Sequence, residues 1–412
     1  MRQEPRSPQT PGVVVTGMGM TTPLGGNVVS SWEALLNGES HTSVINDDWA
    51  AGLPIKIAAR LREEPDAVLP PVQIRRLDRS QQIVIVAARE AWTAAQTPDV
   101  DPERFAVVIG TGVGGAQTFA SQDEVIRSRG PLHVSPFAIP MLMPNGAAAA
   151  VGLCFGARGG VHTPISACAS GAEAIAVGLA LVRSGRADVV LAGGTEACVG
   201  PLAMAGFARM GALSKRIDDP EGASRPFAAD RDGFVLGEGA GVVVLEREEH
   251  AQARGARIYG RLAGAGITSN GRDMTSPDRQ GQARAISDAL IDARLSASDI
   301  THVNAHATGT PIGDCAEADA ILDAIGEHPL VTANKASTGH LIGGTGAVEA
   351  IITMMTIREG LIPPTRNLDV QDPNVRVNIV TKSPYQTDIT AAVSNSFGFG
   401  GHNVALVFIR DS

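Results

Sequence analysis

Strand-like apolar runs alternate with helix-length segments along nearly the whole of this 412-residue chain, which restricts it to an α/β fold with largely parallel sheets. Strands are predicted over residues 12–16, 105–109, 189–192, 241–246, 302–304, 391–394 and 405–408. Helices are predicted over 81–96, 171–184, 282–293, 316–324 and 346–358, the first of which must stop ahead of Pro98. Residues 40–80 and 110–150 follow neither period and read as cap and dimer-facing insertions. A polar stretch over 246–257 separates two halves. The expected division is a loose tail over 1–11, an N-terminal half over 12–250 and a C-terminal half over 251–412. Each half carries a similar loop–helix opening, Gly171-Ala-Glu-Ala-Ile175 and Gly346-Ala-Val-Glu-Ala-Ile351, which hints at duplication.

Composition narrows the class further. Aromatic residues are only 4% and glycines number 47, which suits closely approaching backbone layers better than an aromatic-filled core. No apolar run reaches the roughly 18 residues that span a bilayer, so no membrane insertion is expected. The first twelve residues are polar and Pro-rich, without an apolar signal region, and imply a cytoplasmic protein. The four cysteines show neither metal-ligand spacing nor a disulfide framework. A net charge of −9 argues against nucleic acid as a partner.

Three motifs carry chemistry. Cys168 stands in Thr163-Pro-Ile-Ser-Ala-Cys-Ala-Ser-Gly-Ala-Glu173, a small-residue turn from an apolar strand into a helix. There the positive end of the helix dipole favours thiolate, the nucleophilic form; a buried structural cysteine is the alternative. His306 lies in Val303-Asn-Ala-His-Ala-Thr-Gly-Thr-Pro311, and His340 in a glycine-rich loop that begins at Asn334-Lys335 and opens a helix. Histidines of a packed core have no need of so many small neighbours, whereas a ligand or a second backbone does. One thiol and two imidazoles in such settings suit acyl transfer to sulfur followed by reaction at a thioester carbonyl. Gly110-Thr-Gly-Val-Gly-Gly115 matches a dinucleotide fingerprint, but no acidic residue follows from Pro131 through Gly171 to hold a ribose. No G-x-S-x-G elbow is present, which weakens a serine hydrolase.

Four blocks, in order, resemble the signatures of the elongating 3-oxoacyl-[acyl-carrier-protein] synthases (β-ketoacyl-ACP synthase II) of the thiolase-like superfamily. They are Ser166-Ala-Cys-Ala-Ser-Gly171, Asn304-Ala-His-Ala-Thr-Gly-Thr310, Lys335-Ala-Ser-Thr-Gly-His340 and Asn395-Ser-Phe-Gly-Phe-Gly-Gly-His-Asn403. The resemblance implies a five-layer αβαβα fold of two pseudo-duplicated halves with mixed sheets. It implies malonyl condensation onto an acyl chain held on Cys168 in fatty acid biosynthesis, with His306 and His340 stabilising the enolate. Lys335 and Glu349 support the histidines, and the backbone amides of Cys168 and Phe399 form the oxyanion hole. Phe399 also gates the acyl tunnel, Val113 borders the acyl tail, and Thr308 and Thr310 bond the phosphopantetheine arm. No organic cofactor and no metal are required, though a structural monovalent cation could lie near Asn304, Glu349, Ser394 and Asn395. The implied partners are a second copy of the chain, as a homodimer, and an acidic acyl carrier protein. Docking that partner requires a local basic patch, for which Arg75, Arg76 and Arg79, with Arg127 and Arg129, are the candidates. The Asn304–Thr310 block carries Ala after His306 where many members have Gly, a variant that resembles actinobacterial synthases. Two alternatives are a type II polyketide ketosynthase and, from another class, a non-catalytic chain-length-factor-like binding subunit, which lacks the cysteine.

Overall fold

The computed structural model describes residues 11–411, so nearly all of the expected N-terminal tail lies outside the described residues. Five strands of the first half enter the main sheet: β1 (Val13–Thr21), β2 (Phe105–Gly110), β3 (Val161–His162), β4 (Val189–Glu196) and β5 (Gly239–Arg247). Five of the second half match them, β6 (Gly260–Ser269), β7 (His302–Asn304), β8 (Leu330–Thr332), β9 (Ala391–Gly398) and β10 (His402–Ile409), with the short strand Asn378–Ile379 added outside β8. Their spatial orders are β3-β2-β4-β5-β1 and β8-β7-β9-β10-β6, the same permutation twice. The senses match as well. In each half the first three strands of that order pair in parallel and the last two pairings are antiparallel. The duplication hinted at by two short helix openings is thus written into the whole topology. β1 and β6 pair antiparallel at Val14–Arg261 and Val15–Gly260, joining the half-sheets edge to edge.

Period-two alternation sorts the strand side chains into layers. Val190 and Ala192 of β4, Val243 and Leu245 of β5, and Leu406 and Phe408 of β10 face one interior. There they meet Ile175, Leu179 and Val182 of α3 (Ser170–Arg183) and Ile351 and Met354 of α6 (Thr345–Glu359). Val189, Leu191, Val242 and Val244 point the other way, onto α1 (Arg79–Ala94) and α2 (Gly146–Phe155). Val393, Ala405 and Val407 likewise point onto α4 (Arg279–Ala293) and α5 (Pro311–Ala324). The result is five layers, helix–sheet–helix–sheet–helix. α6 is buried around almost its full circumference, as a central helix must be.

Expected elements occur where predicted, with shifted ends. α1 begins two residues early because Asp78 caps it, accepting from Ser80 N–H at 2.9 Å, while Gln81 reaches back to the Asp78 N–H. It ends at Ala94, before Gln96 and Thr97 turn left-handed ahead of Pro98. The stretch 110–150 is not irregular. It holds a helix over Ala116–Arg129 and the first half of α2. The first buries only Thr118 and so has no apolar stripe to read; α2 is a run of small residues. β6 was hidden for a related reason. Its inward positions include Gly260, Gly264 and Gly266, and α4 packs on the last two at Ala289 and Ala285.

The two central helices meet at their N-termini with no space for a side chain. A Cβ on Gly171 would lie 2.8 Å from the Gly343 carbonyl and 2.9 Å from the Ala347 nitrogen. A Cβ on Gly346 would lie 2.8 Å from the Ala172 nitrogen and 2.9 Å from the Ala172 Cβ. Gly171→Ala and Gly346→Ala should each lower unfolding free energy by about 1–3 kcal/mol, the range for overpacking a tight core. Urea melts of the two variants check this; wild-type midpoints would show that the helices can move apart.

Candidate active site

Cys168 sits in a 3-10 turn, Ala167–Ala169, that runs directly into α3. The Ser170 hydroxyl shapes the turn: it accepts from Ser166 N–H at 2.9 Å and donates toward the carbonyls of Ala167 and Thr111. Ala167 is forced left-handed, with φ 50°. From the second half, β7 delivers His306. Glu317 of α5 fixes the backbone there, accepting from His306 N–H at 2.7 Å and Ala307 N–H at 2.6 Å. After β8 the chain reaches Lys335 and then His340, whose Nδ1 lies 3.0 Å from the Thr345 hydroxyl. β9 carries Phe397 next to its last residue and leads to Phe399.

These segments converge. A cavity of about 510 Å³ is lined by Cys168, His306, His340, Thr308, Thr310 and Phe399, among others. The histidine rings stand 5.4 Å apart at 83°, with Phe234 edge-on to His340 and Phe397 beside His306. Backbone N–H groups of Phe399 and Cys168 itself approach the sulfur. A larger recess, about 700 Å³, opens near Arg183 and Ile291–Arg294, but the Arg183–Asp292 ion pair occupies its polar groups and no thiol or imidazole lines it.

Electrostatics follow from burial. Desolvation pushes the Cys168 thiol up to about 12, against the opposing pull of the Lys335 charge and the Phe399 N–H. The thiolate expected from the helix terminus is therefore not the resting form: the placement is as predicted, but desolvation outweighs the dipole. His306 and His340 are both held well below the ordinary imidazole value, first by burial and then by Lys335, so both rings are neutral near pH 7. Lys335 and Glu349 form a buried pair at 2.6 Å, and burial pushes Glu349 up to about 7 against that pairing.

Other predicted residues fall elsewhere. Val113 is half exposed and does not line the cavity. Arg75, Arg76, Arg127 and Arg129 are exposed, Arg76 lying 5.0 Å over the Phe137 ring and Arg127 pairing with Asp123. Arg79 turns inward to Glu238 and Glu64, so it is not a free docking cation. Asn304 and Ser394 are paired across β7 and β9, and the Asn304 amide donates to the Glu349 carbonyl at 3.1 Å. The Gly110–Gly115 loop cannot cradle a phosphate with Gly112 N–H, which donates to Glu196 at 2.7 Å. Sequence reasoning passed over Glu317 and Glu196. Glu196 is an acid inside an otherwise apolar or small-residue strand, and that mismatch was the available signal; Glu317 shares its helix with Asp314, Asp319 and Asp323, so nothing local marked it.

Comparison with known proteins gives one answer. The chain matches the family models "Beta-ketoacyl synthase, N-terminal domain" over residues 10–251 and "Beta-ketoacyl synthase, C-terminal domain" over 259–369. It is 46% identical over 406 residues to 3-oxoacyl-[acyl-carrier-protein] synthase 2 of Mycobacterium tuberculosis, covering 97% of each chain. It is 41% identical over 404 residues to the protein of that name from Staphylococcus aureus, covering 96% of this chain and 97% of that one. A beta-ketoacyl synthase from Burkholderia phymatum superposes with TM-score 0.92 at 34% identity, over 98% of this chain and all of that one. A type II PKS ketosynthase, solved with its acyl-carrier protein and bound to a hexaketide, superposes with TM-score 0.91 at 30% identity, over the same shares. The thiol–imidazole cavity and these likenesses agree: the chain belongs to the beta-ketoacyl synthase family.

Proposed function

We propose that the protein is an elongating 3-oxoacyl-[acyl-carrier-protein] synthase, condensing malonyl–carrier protein with an acyl chain on Cys168. The observation that carries this is one cavity holding Cys168, His306 and His340. In the first half-reaction sulfur attacks the acyl thioester, the carrier's C–S bond breaks, and the thiol proton passes to the departing carrier thiolate. The oxyanion formed on the way takes hydrogen bonds from the Cys168 and Phe399 amides, donors worth about 3 kcal/mol apiece. Because burial holds sulfur protonated, attack and proton removal go together, with a neutral imidazole as the nearby acceptor.

In the second half-reaction the malonyl carboxylate leaves as carbon dioxide, and its bonding pair forms an enolate. His306 and His340 donate N–H bonds to that oxygen; the Thr345 hydroxyl, donating to Nδ1 of His340, leaves Nε2–H for the task. The enolate carbon attacks the acyl carbonyl, the Cys168 C–S bond breaks, and sulfur regains a proton as 3-oxoacyl–carrier protein departs. Lys335 and Glu349 orient this half of the cavity. Thr308 and Thr310, with hydroxyls 3.1 Å apart at the wall, bond the phosphopantetheine arm. Buried oxygens of Asn304, Glu349, Ser394 and Asn395 lack partners among the described residues, which supports a monovalent cation there.

Two partners complete the reading. Val161 on the edge strand β3, with Leu153, Ile165 and Val113, leaves apolar surface uncovered at one end of the sheet, which supports a homodimer closing over Val113 and the acyl tail. The exposed Arg75, Arg76, Arg127 and Arg129 would meet an acidic carrier protein. A type II polyketide ketosynthase shares the Cys–His–His set, but identities of 46% against 30% favour fatty acid elongation. Retention of Cys168 weighs against a non-catalytic subunit. No helix among the described residues is long and apolar enough to cross a membrane.

Four outcomes test the reading. Cys168→Ala should abolish 3-oxoacyl product from acyl– and malonyl–carrier protein, and any product above background would defeat the mechanism. Cys168→Gln, whose amide imitates an acylated sulfur, should keep or raise malonyl–carrier protein decarboxylation. Since both imidazoles are already neutral, no ring protonation should limit that rate from pH 8 down to about 6, and any fall there should follow Glu349 and vanish in Glu349→Gln; a half-loss near pH 6.5 that survives Glu349→Gln would mean a charged ring. Leu153→Asp should move the chain from dimer to monomer in sedimentation at micromolar concentration; an unmoved dimer would place the interface elsewhere.

A further inference from the structure

The buried carboxylate of Glu196 takes no part in the chemistry above, yet it stands where three walls of the sulfur's surroundings meet. It ends β4 and is wholly buried. It accepts from the Thr111 hydroxyl at 3.1 Å, from Gly112 N–H at 2.7 Å and from Gly343 N–H at 3.3 Å. All of these donors are neutral. A buried anion without a counter-charge is expensive, so its presence calls for a reason.

Each bond leads to the nucleophile. The Thr111 carbonyl accepts from the Ser170 hydroxyl at 3.1 Å, and the same hydroxyl holds Ser166 and Ala167 on either side of the turn into Cys168. Gly343 follows Ile342, which lines the cavity with Cys168. Gly112 is pressed between the two: a Cβ there would lie 2.7 Å from Glu196 Oε2 and 2.7 Å from Ile342 Cγ2. Ala167 and Ile342 are both left-handed non-glycine residues, with φ 50° and 45°. Such conformations cost about 1–3 kcal/mol each and persist only where the surroundings over-determine them. Glu196 is the group to which both trace back.

We propose that Glu196 is a positioning residue for the acyl-transfer half of the reaction: through Thr111, Gly112 and Gly343 it holds Ala167 and Ile342 in their strained conformations, and its carboxylate adds to the burial that keeps Cys168 a thiol. The proposal rests on Cys168 being the nucleophile. The electrostatics agree with the geometry. Burial raises Glu196 to about 7 against its hydrogen-bond donors, and its charge adds to what holds the Cys168 thiol up. The other groups acting on this corner are Lys335, which pulls Cys168 down, and Cys198 after β4, itself held up first by burial and then by Glu196 and Glu238.

Glu196→Gln keeps the shape, removes the charge and sets an N–H₂ against a backbone N–H. Two measurements on the full chain then part company. Alkylation of Cys168 by iodoacetamide, followed by peptide mass to separate it from exposed Cys154, should show its midpoint shifted to lower pH. Transfer from acyl–carrier protein to Cys168 should nevertheless slow about tenfold, a barrier change of about 1.4 kcal/mol, while malonyl decarboxylation measured with Cys168→Gln added stays within about twofold. A sulfur easier to ionise yet slower to acylate is what a purely structural carboxylate would not produce. An unmoved midpoint, unimpaired transfer, or transfer and decarboxylation falling together would each overturn the proposal. Thr111→Val removes one bond and keeps the charge, so it should slow transfer about threefold with the midpoint in place; transfer at the wild-type rate overturns the positioning role even if Glu196→Gln fails to fold. Wild-type protein that takes up no acyl group at Cys168 would strike instead at the nucleophile reading beneath it.

Discussion

The contact between the N-termini of the two central helices is the constraint from which the rest follows. Gly171 packs on Ala347 while Gly346 packs on Ala172, a reciprocal arrangement across the approximate two-fold that relates the halves. The relation extends to backbone strain: Ala167 and Ile342, each four residues ahead of its glycine, share a left-handed conformation. One copy of this turn carries the thiol of Cys168. The other presents Ile342 to the cavity and hands His340 in from just upstream. Helices that approach so closely bring two N-terminal turns within reach of one small molecule. A methyl group at either glycine would separate them and the chemistry with them.

Closeness brings dryness, and dryness sets the protonation states. The same burial that raises the thiol lowers both imidazoles, so the resting site holds a neutral sulfur and two neutral rings beside one buried cation, Lys335. This is a consistent set. A charged imidazole would repel Lys335, and a thiolate lacking its substrate would be stranded in a low-dielectric chamber. On the proposed mechanism charge develops only with the substrate present, at oxygens that the backbone amides and ring N–H groups would meet. A helix terminus is a weak lever by comparison, worth about 0.3–1 kcal/mol at exposed sites and at most about 2.

How far this was legible in the sequence depends on which force placed each residue. Strands such as Val189–Glu196 and Gly239–Arg247 declare themselves through unbroken apolar runs, and Cys168, His306 and His340 through the small residues their ligand space demands. The strand Gly260–Ser269 does not, because close approach of α4 requires glycine where an alternating pattern would need bulk. The helix Ala116–Arg129 does not, because it buries almost nothing. Val113 shows a different gap. Its neighbourhood in the loop is readable, but its side chain stands half exposed and away from the cavity, and which way a loop side chain turns leaves no mark in a local pattern. The ionisation of Cys168 was misjudged for the same reason: a helix terminus is visible in sequence, whereas the depth of the chamber around it is a tertiary fact.

The acids that sequence reading passed over reveal a common device. Glu317 accepts two successive backbone N–H groups at His306 and Ala307, and Glu196 accepts them from Gly112 and Gly343. Asp314 does the same for Phe227 and Gly309, beside Thr308 and Thr310. In each case a wholly buried carboxylate from a regular element gathers amides from an irregular loop that bears a cavity residue, and burial raises it to between about 6 and 7 despite those donors. Neutral amides or hydroxyls could fill the space, but only an ionised carboxylate offers acceptor sites alone, so only it can converge several N–H donors without a clash. Loops that carry chemistry cannot pack through large apolar side chains, because the cavity takes that room. Carboxylates anchored in helices and strands hold them from behind instead, which is why acids recur around a cavity lined by one sulfur and two imidazoles.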